Sequence, residues 1–131
     1  MARTPPSDVE LQVLTVLWEK GPSSVHDVRE AMPDGKARAY TTVLSIMQNL
    51  ERKGLVRHTQ QGPANIYHPI VNRNQVLRPM MKGMLTHFFG GRPSQVLQCL
   101  LESTDVDAKE LEQIKKILAT EAKKRAEGEK K

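Results

Sequence analysis

Residues 39–57, AYTTVLSIMQNLERKGLVR, change their hydrophobic period partway along, and few arrangements of chain accommodate that change. Val43, Ile46, Met47 and Leu50 stand at i, i+3, i+4 and i+7, the spacing of a helix that buries one stripe. Gly54 interrupts the pattern, and LVRHTQ resumes with the alternation of a strand. The spacing predicts a helix over residues 39–53. At about 100° per residue, Thr41, Ser45, Gln48 and Arg52 fall within about 30° of the direction opposite the stripe. The outward face therefore carries hydroxyls and an amide where most surface helices carry glutamate and lysine.

Two helices are expected before this one. SDVELQVLTVLWEKG begins with a capping box, Ser7 with Glu10, and stops at Gly21, with Leu11, Leu14, Leu17 and Trp18 recurring at helical spacing. Ser24 caps a short second helix bearing Val25, Val28 and Met32, which ends at PDG, residues 33–35. After the third helix, LVRHTQ and NIYHP flank QGPA, a hairpin with Gly62 and Pro63 at its tip. Three helices followed by a hairpin is the order of a winged helix-turn-helix.

Pro69 closes that module, and Asn72 caps a further helix whose stripe runs Leu77, Met80, Met81, Met84, Leu85 and Phe88, with Pro79 expected to kink or interrupt it. A shorter helix from Ser94 carries Val96, Leu97, Leu100 and Leu101. Asp107 with Glu110 opens a last one bearing Leu111, Ile114 and Leu118, and beyond Ala122 the charged KKRAEGEKK is expected to be solvated and frayed. Three such stripes in about 55 residues exceed what they can bury against one another. Their apolar residues are thus candidates for a dimer interface, and the methionines suit an irregular seam. The alternative is that this region folds back on the first module. The expected fold is mostly α with a small β-hairpin: residues 1–71 a winged helix-turn-helix, residues 72–131 a three-helix dimerisation region with a charged tail.

The chain has 131 residues, enough for one modest core, and a formal charge of +5, which alone fits a polyanionic partner or an ordinary solvated surface. The distribution of charge is more informative. Residues 36–57 hold five cations (Lys36, Arg38, Arg52, Lys53, Arg57) and one acid, Glu51, whereas residues 1–35 hold three cations and six acids. A helix entering the major groove of DNA needs short donors and acceptors on its exposed face and longer cations beside them. Thr41, Thr42, Ser45 and Gln48 are the candidates for base reading, and Lys36, Arg38, Tyr40, Arg52, Lys53 and Arg57 for phosphate contact. Tyr40 could equally pack on the first helix.

Other constellations are weaker. His58 and His68 could face each other across the expected hairpin, but two imidazoles without a third ligand read as a polar wing, so no metal or other cofactor is expected. Ser24, His26 and Asp27 are too close on one short helix to form a base-and-orienter relay. No enzyme activity is expected. Cys99 is the only cysteine, which excludes an internal disulfide and fits a reducing cytoplasm, and it reads as a small buried apolar residue. MARTPPSDVE lacks the apolar region of a signal peptide, and no apolar run is long enough to insert in a membrane.

ELQVLTVLWEKGPSSVHDVREAM, YTTVLSIMQNLERKGLVR and IYHP resemble the BlaI/MecI penicillinase-repressor family, and FFGGRPSQVLQCLLESTDVDAKELEQIKKIL resembles its C-terminal dimerisation helices. The resemblance spans residues 7–120. It implies a winged-helix homodimer that binds a palindromic operator in double-stranded DNA and represses transcription, with the third helix reading bases. It further implies relief through cleavage signalled by a membrane-bound zinc metalloprotease sensor. Three departures stand out: Arg38 replaces a tryptophan, Gly62 and Pro63 replace a Gly-Arg pair at the wing tip, and Gln98 and Cys99 occupy the cleavage position where responsive members have Asn and Phe. The reading from another class is a winged-helix module that docks proteins without binding an operator.

Overall fold

The computed structural model describes residues 5–129. Its elements follow the order α1 (Asp8–Lys20), β1 (Ser23–Ser24), α2 (Val25–Glu30), α3 (Tyr40–Arg52), β2 (Val56–Gln61), β3 (Ala64–Pro69), α4 (Arg73–Phe88), α5 (Pro93–Ser103) and α6 (Ala108–Glu129). The chain divides into two compact units, one ending at Gly83 and the other beginning at Met84.

The first unit is a winged helix. Val13, Leu14 and Leu17 from α1, Val28 from α2, and Val43, Met47 and Leu50 from α3 are buried together with Leu55, Val56 and Tyr67. Each helix end matches a local signal. Ser7 Oγ accepts from the Glu10 amide while Glu10 Oε1 accepts from the Ser7 amide, the reciprocal capping box, and Ser24 Oγ accepts from the Asp27 amide. At the end of α3, Gly54 adopts φ 78°, its amide donates to Glu51 O, and the Leu55 amide donates to Leu50 O. This pair of bonds satisfies the last carbonyls and turns the chain at once into β2, with Leu55 and Leu50 buried in one core. The change of period at Gly54 is therefore a helix stop joined directly to a strand.

The hairpin joins β2 to β3 in antiparallel register from Val56↔Pro69 to Gln61↔Ala64, leaving Gly62 and Pro63 as a two-residue loop. Gly62 at φ 58° supplies the positive φ that such a tight hairpin turn needs at its first position. The sheet has a third strand that the sequence did not reveal: Ser23 and Ser24 pair with Tyr67 and Ile66, so the order is β1-β3-β2. Trp18 sits at the core's margin, its Nε1 donating to Val71 O at 2.9 Å, with Arg73 over its ring at 5.6 Å.

Asn72 and Gln75 form a second capping box, each backbone amide donating to the other's side chain at 2.8 Å, and α4 begins at Arg73. Of the kink or interruption expected at Pro79, the interruption does not occur: α4 runs unbroken from Arg73 to Phe88. Proline removes one bond to the carbonyl four residues earlier, and because Pro79 and Gln75 are both exposed, water can hydrate that carbonyl. Val76 is buried and Met80 partly buried against the first unit's core. The tail also departs from expectation, since α6 remains helical to Glu129. Its Lys, Glu and Ala are good helix formers, and Arg125 pairs with Glu121 at 2.8 Å in i,i+4 spacing.

In the second unit, neither α5 nor α6 buries a residue. Phe88 is 78% exposed and Ile117 65%, and Met84, Leu100, Leu101, Leu111 and Leu118 are exposed too, while Leu85, Leu97 and Ile114 are intermediate. Cys99 is exposed as well, correcting the expected burial, because the surface of α5 on which it lies has no covering element. Among the described residues no helix is long and apolar enough to cross a membrane.

Met47→Ala should cost about 2–5 kcal/mol of unfolding free energy, since the side chain is fully buried, and Gly54→Ala about 1–2 kcal/mol from its positive φ. Urea denaturation followed by circular dichroism measures both.

Candidate nucleic-acid interface

Burial of Val43, Ile46, Met47 and Leu50 fixes the rotation of α3 and turns the opposite face outward. Thr41, Thr42, Ser45 and Gln48 are all exposed, and none of their side chains forms a hydrogen bond within the described residues. The hydroxyls and the amide are thus available to an external partner. Arg52, Arg57 and Lys36 are exposed in the same way, and Tyr40 is half exposed.

The start of α3 is also unusual. Where α1, α2, α4 and α6 begin with a side chain accepting a backbone amide, Ala39 at the N-cap of α3 offers none, and no acid occupies the first turn. The Tyr40 and Thr41 amides therefore have no partner among the described residues, with the positive end of the helix dipole behind them, an arrangement that suits a phosphate. Pro93 begins the similarly uncapped α5, but there proline removes one donor.

Two of the candidate cations already have partners. Arg38 forms a fork on Asp34, at 2.9 Å to Oδ1 and 2.7 Å to Oδ2, and its carbonyl accepts from Arg29 Nε. The Lys36 amide also donates to Asp34 Oδ1, and the Asp34 amide donates to Gln12 Oε1, fastening the α2–α3 loop to α1. The Arg38 guanidinium holds the Asp34 carboxyl far below the usual carboxylate range, and Asp34 raises Arg38 in turn. Lys53 Nζ lies 2.7 Å from Glu10 Oε1, joining the end of α3 to the first turn of α1. Neither pairing was evident from the sequence, because Glu10 already had a role in the capping box and Asp34 stood in an apparent turn.

The wing carries polar rather than cationic side chains. His58 pairs in register with Tyr67 and His68 with Arg57, so alternation along the strands sends the two imidazoles to opposite faces. They do not face each other across the hairpin. His58 Nδ1 lies 2.7 Å from Glu51 Oε2, linking β2 to α3, and His68 Nε2 lies 2.8 Å from Thr59 Oγ1. Burial raises the Tyr67 hydroxyl, with the Glu51 charge adding to it.

Compared with known proteins, residues 6–120 match the family model described as penicillinase repressor. The penicillinase repressor of Bacillus licheniformis is 21% identical over 112 residues, covering 86% of this chain and 88% of that protein. The transcriptional regulator BlaI of Mycobacterium tuberculosis is 33% identical over 75 residues, covering 56% of this chain and 54% of the regulator, so the match spans about half of its length. A solved complex of hsRosR has a TM-score of 0.52 at 16% identity, over 88% of this chain and 89% of that one, a likeness of fold. The chain belongs to the penicillinase repressor family, whose members are transcriptional repressors rather than enzymes.

Burial raises the pKa of Glu10, but hydrogen bonds from Lys53 and from Ser7 more than offset this and leave it below the ordinary glutamate value. A carboxyl lowered on folding contributes stability that is complete above its unfolded pKa and lost as pH falls through the folded one. Unfolding free energy should therefore decline as pH drops through and below the ordinary glutamate range. The decline should be shallower in Glu10→Gln, as read by urea midpoints at a series of pH values.

Proposed function

We propose that this chain is a DNA-binding transcriptional repressor that acts in the cytoplasm as a homodimer on a palindromic operator. The observation that carries the proposal is the outward face of α3, where Thr41, Ser45 and Gln48 stand exposed and unbonded on a helix whose rotation the core fixes. In this reading α3 lies in the major groove. Gln48 bonds an adenine edge, Ser45 and Thr41 donate to or accept from neighbouring bases, and Thr42 sits beside the uncapped amides at a phosphate. Arg52, Arg57, Lys36 and Tyr40 reach the flanking backbone. Arg38 exchanges Asp34 for a phosphate, which an exposed ion pair permits at small cost.

The exposed apolar side chains from α4 onward support the dimer. Met81 and Met84 of α4, Leu100 and Leu101 of α5, and Leu111 and Leu118 of α6 would be covered by a second copy, together with Leu77, Met80, Leu85, Phe88, Leu97 and Ile114. A two-fold dimer requires half-sites about 10 bp apart centre to centre, or a multiple, on one face of the duplex. Proteolytic relief through a membrane metalloprotease sensor is assigned in this reading to the exposed Gln98 and Cys99 of α5, where a cut would divide the dimer face.

Ser45→Ala or Gln48→Ala should change preference at one base position per half-site by about 1–3 kcal/mol, whereas Arg52→Ala should weaken all duplexes alike. Gel shifts with DNA upstream of the chain's own gene and with base-substituted versions test this. Loss of overall discrimination in Arg52→Ala, with undiminished affinity, would reverse the assignment. Phe88→Glu and Leu118→Glu should each shift the protein toward monomer in light scattering and weaken operator binding. A parent protein that is monomeric at micromolar concentration would contradict the dimer.

A further inference from the structure

Arg52 and Lys53 are adjacent cations at the end of α3, yet their surroundings differ. The Arg52 side chain is exposed and makes no hydrogen bond within the described residues. Lys53 turns away from it toward α1, where Nζ lies 2.7 Å from Glu10 Oε1 and 3.4 Å from the Pro5 carbonyl oxygen. The Glu10 side chain is only 7% exposed, and the same Oε1 accepts the Ser7 amide at 2.8 Å. Glu10 Oε2 is buried without a partner among the described residues.

This geometry determines how Lys53 can act. If its ammonium left for a phosphate, Glu10 would remain as a buried carboxylate with both oxygens short of partners, and breaking a buried pair in this way is strongly unfavourable. An exposed arginine incurs no such loss. The contact also joins two specific places: the C-cap of the helix that presents Thr41, Ser45 and Gln48, and the capped first turn of α1, whose stripe contributes to the core.

We propose that Lys53 is a positioning residue rather than a phosphate contact, anchored by Glu10 so that the end of α3 is held against the first turn of α1. The inference rests on the assignment of α3 as the base-reading helix. It divides the local positive charge: Arg52 contributes to affinity for any duplex, while Lys53 contributes to discrimination between duplexes. A lost phosphate contact weakens operator and random DNA by the same factor and lowers the salt dependence. A tilted reading helix instead weakens the operator selectively.

The test measures binding of the full-length protein to a duplex from upstream of its own gene and to a random duplex over a range of KCl concentrations. It compares the parent with Arg52→Met, Lys53→Met, Lys53→Arg, Glu10→Gln and the Glu10→Gln/Lys53→Met double variant. Arg52→Met should reduce the slope of log affinity against log salt by about 1.8, about 0.9 for each of the dimer's two copies, and leave the ratio between duplexes unchanged. Lys53→Met should leave the slope unchanged and lower the ratio by about five-fold or more, the loss expected from one misaligned base contact. Lys53→Arg, which keeps a charge for Glu10, should restore most of that ratio. A slope reduced by about 1.8 in Lys53→Met, with the ratio intact, would overturn the proposal.

Unfolding midpoints provide a reading that needs no DNA. Lys53→Met should lower the midpoint, and adding Glu10→Gln should recover part of the loss, because no buried charge is then left unpaired. Strictly additive midpoints would overturn the anchor. If the parent fails to distinguish the two duplexes while the midpoints are coupled, the base-reading assignment fails and the anchor stands.

Discussion

The packing of α3 through Val43, Met47 and Leu50 against α1, α2 and the start of the wing governs the rest of the first unit. These side chains are fully buried, so rotating the helix by even one residue would expose an apolar group and draw a hydroxyl into the core. Rotation is therefore set chiefly by apolar burial. The polar face then points outward without any contact of its own to hold it there, which leaves its hydrogen-bonding groups unsatisfied within the chain.

That division of labour explains why so much of the site was legible in the sequence. Helical period identifies an inward face, and the outward face follows by geometry, so the exposure of Thr41, Ser45 and Gln48 could be read from spacing. Capping residues were equally readable, because Ser7 with Glu10, Ser24, Asn72 and Asp107 each act within three residues of their own position. What escaped were contacts between residues far apart along the chain. Lys53 and Glu10 are separated by 43 positions, and nothing local distinguishes Lys53 from Arg52. The two-residue strand at Ser23 and Ser24 was hidden for the same reason, since its partners Tyr67 and Ile66 come from the wing. Local charge counting was accordingly incomplete about which cations remain free around α3.

The second unit illustrates the complementary problem. Its helices were recognisable from their stripes, but a stripe shows only that a face seeks cover and not what covers it. Residues such as Cys99 that look internal by composition can then lie on the surface of a single chain. The apolar groove formed by Pro93, Leu97, Ile114 and Leu118 has the character of a half-interface, consistent with the proposed homodimer. Two copies would present two α3 helices, turning a modest single-helix contact into recognition of a paired site.

The most direct test of the account is an NMR titration of the full-length protein with the duplex from upstream of its own gene, following backbone amides and the Gln48 side-chain amide. The account predicts that the largest shift changes fall on residues 40–52 and that Gln48 Nε2 protons become protected from exchange with water. Changes confined to other elements, with Thr41, Ser45 and Gln48 unmoved at saturation, would contradict it.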